Sequence, residues 1–269
     1  MDAALFHARG YACPLDCLSP DAAARLRAGL ETQERQGSGR LPPLMNAKPH
    51  LLMPEFWDLV QAPVVVDAVA ALLGPDLLCY GSSFIIKAPG SDRYVAWHQD
   101  VTYWGLSEPK AVTVWIALSP STAQTGCVRV VPGSHDRALP HDDSGDPQNM
   151  LGRGERLVSD VDETAVVDLE LAPGQMSIHH CLIVHGSSPN RGTDRRIGFA
   201  ARYIPAHLQP QGAQGMTATL VRGRNTGGYA LEQAPEGLMH PAAVARHRDI
   251  FRKGMTTIFA GKLQSGPRA

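Results

Sequence analysis

The chain has 269 residues, 43% of them hydrophobic, and a formal net charge of −1 at pH 7. This length permits one large domain with a sizeable core, and the near-neutral charge excludes a protein that binds nucleic acid or an anionic membrane through a globally basic surface. Five scattered cysteines without a Cys-x-x-Cys pair argue against a disulfide framework or a zinc ribbon and favour a reducing cytoplasm.

The first part of the chain, about residues 19–75, is predicted to be helical. Ser19 can cap a helix through its hydroxyl, and Pro20 suits the first helical position. A second helix is predicted to begin near Pro63. The N-terminus lacks a basic segment followed by a long apolar run, so no signal peptide is predicted. The apolar stretch 62–80 is too interrupted to span a membrane, and we expect a soluble, cytoplasmic protein.

The core, about residues 76–205, is predicted to consist of strands, because short runs rich in Val, Ile and aromatic residues alternate with turn formers. The runs are LLCYGSSFIIK, AVTVWIALSP, CVRVVPGSH, AVVDLELAPG, QMSIHHCLIVHGSSPN and RRIGFAARYIP. The interval 136–160 has few apolar residues and is predicted to be a long insertion that forms a lid. Residues 206–269 are predicted to form an irregular segment, at 207–230, and a closing helix near 241–258. We therefore expect a single domain over residues 1–269, an all-β core with flanking helices (α+β).

The motif YVAWHQDVTYWG indicates a metal site. In a strand, residues i and i+2 share a face, so His98 and Asp100 present an imidazole and a carboxylate side by side while the residue between them points away. A third ligand is expected from IHHCLIVHGSSPN, at His179, His180 or His185. Two histidines and one carboxylate leave coordination positions open, as in non-haem Fe(II) oxygenases, whereas zinc usually takes a four-coordinate site. Alone, the motif also fits a surface histidine and aspartate at a strand end.

A second element strengthens the metal interpretation. Arg196 lies eleven residues beyond His185, and an arginine on the next strand can form a bidentate pair with the carboxylate of an anionic cosubstrate. Together, WHQD, GCVRVVPGSH, APGQMSIHHCLIVHGSSPN and this arginine resemble the phytanoyl-CoA dioxygenase (PhyH) family of Fe(II)/2-oxoglutarate oxygenases over about residues 45–205. Residues 48–106 look most like its bacterial, natural-product-type branch. The resemblance implies a double-stranded β-helix, that is, a cupin-like jelly roll.

The resemblance also implies roles for individual residues. The implied metal ligands, which are also the catalytic residues, are His98, Asp100 and His185. The implied 2-oxoglutarate contacts are Arg196, Ser187, Trp115, Lys48 and Lys87. Arg195 is the alternative to Arg196, and the choice between the two lysines stays open. His180 matches a histidine that packs behind the last ligand, which leaves His179 facing outward.

The activity implied is hydroxylation of an unactivated C–H bond of a small molecule, with Fe(II), 2-oxoglutarate and O2, and with release of succinate and CO2. Some members of the family replace the metal-binding aspartate with a small residue and halogenate, which Asp100 disfavours here. Halogenation, desaturation or ring closure at the same iron remains an alternative, as does a non-catalytic jelly roll that binds a small molecule. A zinc hydrolase would leave Arg196 unexplained.

The substrate and the assembly are the least determined features. Aromatic and polar side chains around the motifs are candidates for substrate contacts: Trp97, Tyr103, Trp104, Asn46 and His135. The substrate is expected to be free or bound to CoA or a carrier protein, with no nucleic-acid or membrane partner. A monomer or a homodimer is expected.

Overall fold

The computed structural model describes residues 1–37, 39–100, 104, 106–152, 154–209 and 216–264. At 44 and 253–264 it describes the backbone only. Tyr103, a predicted substrate contact, lies outside the described residues. In chain order the elements are α1 (Ala3–Arg9), β1 (Tyr11–Asp16), α2 (Pro20–Gln36), α3 (Pro54–Val60), α4 (Pro63–Leu73), β2 (Leu77–Lys87), β3 (Val95–His98), β4 (Val112–Ala117), β5 (Val128–Val130), β6 (His141–Asp143), β7 (Glu155–Leu157), β8 (Val167–Leu169), β9 (Gln175–His180), β10 (His185–Ser187), β11 (Arg196–Pro205), β12 (Thr217–Arg222), β13 (Ala230–Leu231) and α5 (Pro241–Gln264).

Contacts within the chain define two compact units. The first comprises Met1–Pro42, Ser83–Thr102 and Val112–Ala200, and the second comprises Pro43–Ser82, Tyr103–Ala111 and Ala201–Ala269. That the whole chain acts as one domain stays a prediction.

The first unit contains two main sheets, with strand orders β1-β9-β4-β11-β2 and β3-β10-β5-β8, in which β11 contributes residues 196–200 and β2 residues 83–87. Side chains from both sheets form one buried cluster that includes Trp115 of β4, Val130 of β5, Leu169 of β8 and Ala200 of β11. Two sheets that share a core in this way form a sandwich, with inward and outward residues alternating along each strand. Each of the six predicted runs contains a strand, so the predicted strand-rich core is confirmed.

Local signals in the sequence account for several boundaries in this unit. Helix α2 begins directly after Ser19, whose hydroxyl accepts a hydrogen bond of 3.2 Å from the Ala22 amide, as expected for an N-cap. The insertion at 136–160 lies between β5 and β8 as predicted, but it contains the antiparallel pair β6-β7. Helix α1 and strand β1 were not predicted, because neither has a long periodic pattern.

The second unit holds helices α3, α4 and α5 and the strand order β2-β12-β13. Strand β12 pairs with β2 through Thr219 opposite Cys79, so the prediction that all of 207–230 is irregular is wrong. Among the described residues one helical stretch, Pro54–Leu73, is long and apolar enough to cross a membrane by composition alone. Gln61 separates it into α3 and α4, which are 7 and 11 residues long, so it is weak evidence for a span.

Candidate metal centre

Three side chains of the first unit converge at the end of β3 and the beginning of β10. His98 and His185 are register partners across these two strands, and Asp100 follows two residues after His98. The Nε2 atoms of His98 and His185 lie 3.6 Å and 3.8 Å from Asp100 Oδ1. One candidate ligand atom from each residue lies within 4.8 Å of the others, and both histidines are buried. The structure therefore brings together the three residues predicted to bind the metal.

Backbone hydrogen bonds orient both imidazole rings. Nδ1 of His98 lies 2.9 Å from the Ala96 carbonyl, and Nδ1 of His185 lies 3.0 Å from the Ile183 carbonyl. Because a carbonyl oxygen only accepts, each Nδ1 carries a hydrogen, and in a neutral ring Nε2 then offers a lone pair. Burial, and then the neighbouring His98, lowers the pKa of His185 well below its usual range. A neutral imidazole held in this way has the form that a metal ligand requires.

The carboxylate of Asp100 is held from the side of the larger sheet. Thr113 Oγ1 donates to Asp100 Oδ2 at 2.8 Å, and His179 Nε2 lies 3.9 Å from the same oxygen. Thr113 and His179 are register partners on β4 and β9, so their side chains share the interior face. His179 is buried, and the prediction that it faces outward is wrong. Its neighbour His180 instead packs against His135, with ring centroids 5.2 Å apart.

Gln99 anchors the motif from the opposite direction. Its side chain is 1% exposed, its Nε2 donates to the Leu182 carbonyl at 2.6 Å and to the Arg137 carbonyl at 2.9 Å, and its Oε1 accepts from the Leu139 amide at 2.8 Å. These bonds tie the segment between the two ligands to neighbouring loops. The i, i+2 pattern correctly predicts that this residue points away, but no sequence signal indicates its partners.

A buried arginine without an anionic partner lies at the start of β11. Arg196 is fully buried, and its Nη1 donates to the Gly126 carbonyl at 2.8 Å, while Nε and Nη2 have no hydrogen-bond partner among the described residues. Its Cζ lies 5.3 Å from the centre of the Trp115 ring, and a Cβ built on Gly198 would overlap that ring. Burial lowers the pKa of Arg196 to about 10, so it stays a cation at neutral pH.

Lys87, at the end of β2, is a second buried basic group in the same unit. Its Nζ lies 2.6 Å from Ser187 Oγ and 3.1 Å from the Ser187 carbonyl, and it also bonds to the Ser188 carbonyl. Burial, and then the charge of Arg196, lowers the pKa of Lys87 to about 6. Among the described residues, the groups that act on these two pKa values include no carboxylate. An anion would supply the missing charge and the missing acceptors.

Arg195, the alternative to Arg196, has a different partner. Its Nη1 and Nη2 form a bidentate pair with Glu34 on α2, at 2.7 Å and 2.8 Å. Its donors are therefore used within the protein, whereas Nε and Nη2 of Arg196 have no partner among the described residues.

The remaining predicted residues of the first unit lie elsewhere. Trp97 alternates with His98 along β3, and its Nε1 donates to Glu163 at 3.3 Å on the outer face of the strand. His135 Nε2 donates to the His7 carbonyl at 3.1 Å. The structure does not bring these two residues to the cluster, and their roles as substrate contacts stay predictions.

Three predicted residues belong to the second unit: Lys48, Asn46 and Trp104. The Lys48 ammonium donates to the Thr217 carbonyl at 2.8 Å and pairs with the buried carboxylate of Glu232. The carbonyl of Trp104 accepts a hydrogen bond of 2.8 Å from the Tyr80 hydroxyl. Contact of Lys48 with 2-oxoglutarate, and of the other two with substrate, stays a prediction.

Comparison with known proteins gives consistent results. The family model "Phytanoyl-CoA dioxygenase (PhyH)" matches residues 6–198. The solved structure of the non-heme monooxygenase ThoJ in its apo form is 33% identical and superposes with a TM-score of 0.86 over 97% of this chain and 99% of that chain. Its nickel complex is 31% identical, with a TM-score of 0.78 over 98% and 99%. These superpositions confirm the predicted jelly roll with flanking helices.

A curated relative is the "probable alpha-ketoglutarate-dependent hypophosphite dioxygenase" of Stutzerimonas stutzeri, 29% identical over 160 residues. The match covers 57% of this chain and 55% of the relative. The chain thus spans about half the length of the curated relatives it matches.

Proposed function

Because the chain belongs to the phytanoyl-CoA dioxygenase (PhyH) family, we propose that it is an Fe(II)/2-oxoglutarate-dependent dioxygenase that hydroxylates an unactivated C–H bond of a small molecule and releases succinate and CO2. One observation carries the proposal: a His-Asp-His cluster lies in the same unit as a buried arginine whose Nε and Nη2 have no hydrogen-bond partner among the described residues. A metal site alone would explain the cluster but would not explain the buried Arg196.

His98, Asp100 and His185 would hold the ferrous ion. Two imidazole lone pairs and one carboxylate oxygen are the donor set of non-haem Fe(II) oxygenases, which leave positions open for a bidentate cosubstrate and O2. When bound, the ion supplies the oxidative chemistry together with 2-oxoglutarate and O2, while the protein supplies binding and orientation. The nickel complex of ThoJ and the name of the Stutzerimonas relative support a metal and 2-oxoglutarate, respectively.

Arg196 would bind the distal carboxylate of 2-oxoglutarate. Its two unpartnered donors, Nε and Nη2, lie on one edge of a planar guanidinium and match the two oxygens of a carboxylate. Ser187 and Lys87 would add a hydroxyl and an ammonium, and Trp115 would form an apolar wall beside the arginine. Between the two candidate lysines the contacts favour Lys87, because the ammonium of Lys48 already pairs with a buried carboxylate.

Hydroxylation is preferred to halogenation because Asp100 is present and one of its oxygens faces both histidines. A chloride ion would need the coordination position that this carboxylate fills. The oxidative outcome follows from the position of the substrate, where an error of about 1 Å can change the rate on the order of a hundredfold.

The proposal predicts metal- and 2-oxoglutarate-dependent release of succinate. A screen against amino acids, small phosphonates, carrier-bound thioesters, acyl-CoA esters and terpenoid or alkaloid intermediates, read by succinate and by product mass, would identify the substrate. His98→Ala should reduce succinate formation by at least about 10- to 100-fold, since loss of a ligand costs no less than loss of its supporting hydrogen bond. The control is His240→Ala, a histidine of the second unit whose side chain is 47% exposed. Full activity of His98→Ala, or chlorinated product in the presence of chloride, would contradict the proposal.

A further inference from the structure

The two carboxylate oxygens of Asp100 have different surroundings. Oδ1 lies 3.6 Å and 3.8 Å from the Nε2 atoms of His98 and His185. Oδ2 accepts a hydrogen bond of 2.8 Å from Thr113 Oγ1 and lies 3.9 Å from His179 Nε2. The carboxylate is thus oriented with one oxygen toward the two lone pairs and the other toward the sheet.

The position of the Thr113 hydroxyl is set by the sheet rather than by the loop that carries the aspartate. Thr113 lies in the body of β4, is 3% exposed, and is the register partner of His179 on β9. A β-branched side chain in a strand has restricted χ1 freedom, which limits the directions in which its hydroxyl can point. Asp100, in contrast, lies beyond the last residue of β3, outside the strand ladder.

We propose that Thr113 is a positioning residue that makes Asp100 a ligand through one oxygen. The inference rests on the proposed function and adds to it a residue that fixes how the carboxylate binds. Each of the three ligands then has an orienting hydrogen bond: to the Ala96 carbonyl for His98, to the Ile183 carbonyl for His185, and from Thr113 for Asp100. Because Oδ2 is held by the hydroxyl, only Oδ1 is presented to the metal. Coordination positions for the cosubstrate and O2 therefore stay open.

Without the hydroxyl, the carboxylate would lose the hydrogen bond that turns Oδ2 toward the sheet. It could then rotate away from the two imidazoles, or present both oxygens to the metal and occupy a position that 2-oxoglutarate needs. Both changes act on metal coordination before any reaction occurs. The test therefore measures binding of a metal ion and its spectrum rather than turnover.

The experiment compares Thr113→Val, which keeps the shape and removes the hydroxyl, with Thr113→Ser, which keeps the hydroxyl. Co(II) is titrated into the metal-free full-length protein without oxygen, and the visible absorption of the ion is recorded before and after 2-oxoglutarate is added. Thr113→Val should bind Co(II) about 10- to 100-fold more weakly, with an altered spectrum, as found when partners of metal ligands are removed. Thr113→Ser should stay close to the wild type in both measurements.

Equal Co(II) affinity and spectra in the wild type and Thr113→Val would overturn the inference while leaving the proposed function intact. Equal losses in the Val and Ser variants would also overturn it, since packing rather than the hydroxyl would then matter. A wild-type protein that binds no Co(II) would overturn both proposals. If circular dichroism shows that Thr113→Val does not fold, Thr113→Ala takes its place in the same comparison with Thr113→Ser.

Discussion

Replacement of Arg196 by methionine should remove the response of the protein to 2-oxoglutarate without unfolding it. Loss of the bidentate partner of a buried carboxylate costs about 3–5 kcal/mol. At about 1.4 kcal/mol per factor of ten, the dissociation constant should rise by roughly a hundredfold to a few thousandfold. The unliganded protein should change little, because removal of an uncompensated buried cation offsets the hydrogen bond lost at the Gly126 carbonyl.

Thermal unfolding with Mn(II), in the absence of oxygen, measures this effect without turnover. A ligand at 100 times its dissociation constant stabilises the native state by about 2.7 kcal/mol, and thus raises the melting temperature by about 5–10 °C for a chain of this size. With a hundredfold weaker site, the same concentration of 2-oxoglutarate stabilises Arg196→Met by only about 0.4 kcal/mol, a shift of about 1 °C.

The matched control is the adjacent Arg195→Met. The guanidinium of Arg195 pairs with Glu34. The variant should therefore lose some stability but keep the full increase in melting temperature caused by 2-oxoglutarate. The reasoning would be refuted by a wild-type shift in Arg196→Met, or by its disappearance in Arg195→Met.

Two further outcomes concern buried charges. Burial and the neighbouring arginine lower the pKa of Lys87 to about 6. Above this pH, binding of an anion should therefore be coupled to protonation of Lys87. The affinity for 2-oxoglutarate should then fall as the pH rises from 6.5 to 8.5. Calorimetric titration should show this slope in the wild type and a flat profile in Lys87→Met; equal slopes would argue against a contact with the lysine. In the second unit, Glu232→Gln should cost about 3–5 kcal/mol in urea unfolding, because Lys48 loses its buried counter-charge, whereas the exposed Glu236→Gln should cost far less. Burial raises the pKa of Glu232, but Lys48 and His50 outweigh it and hold this pKa below its usual range. The carboxylate therefore contributes its full stabilisation above about pH 4.3, the usual pKa of an unfolded Glu. The difference in stability between wild type and Glu232→Gln should shrink as the pH falls below that value.

Much of the local architecture could be predicted from the sequence. The two-residue spacing of His98 and Asp100 predicts that the two side chains lie together, and they do, although β3 ends at His98 and Asp100 lies beyond the strand. Helix α2 begins at its predicted cap, and helix α4 begins at Pro63 as predicted. These are short-range effects, determined by a few consecutive residues.

Features that depend on strand pairing could not be predicted in this way. Because side chains alternate along a strand, one of the neighbours His179 and His180 is expected to face inward. Only the pairing of β9 with β4, which places His179 opposite Thr113, shows that it is His179. Strand β12 lies in a segment rich in turn formers, and it is a strand because its backbone pairs with β2.

The sequence by itself indicated the strand-rich core and the pair His98 and Asp100, and its resemblance to the family added His185 as the third proposed ligand. Only the tertiary structure decided which cations keep unpartnered donors, because Arg195 meets Glu34 on a distant helix while Arg196 is buried beside Trp115. It also decided how the carboxylate of Asp100 is turned. Charge compensation and hydrogen bonding act between residues far apart in the chain. Which residues become partners is therefore determined only in the folded protein.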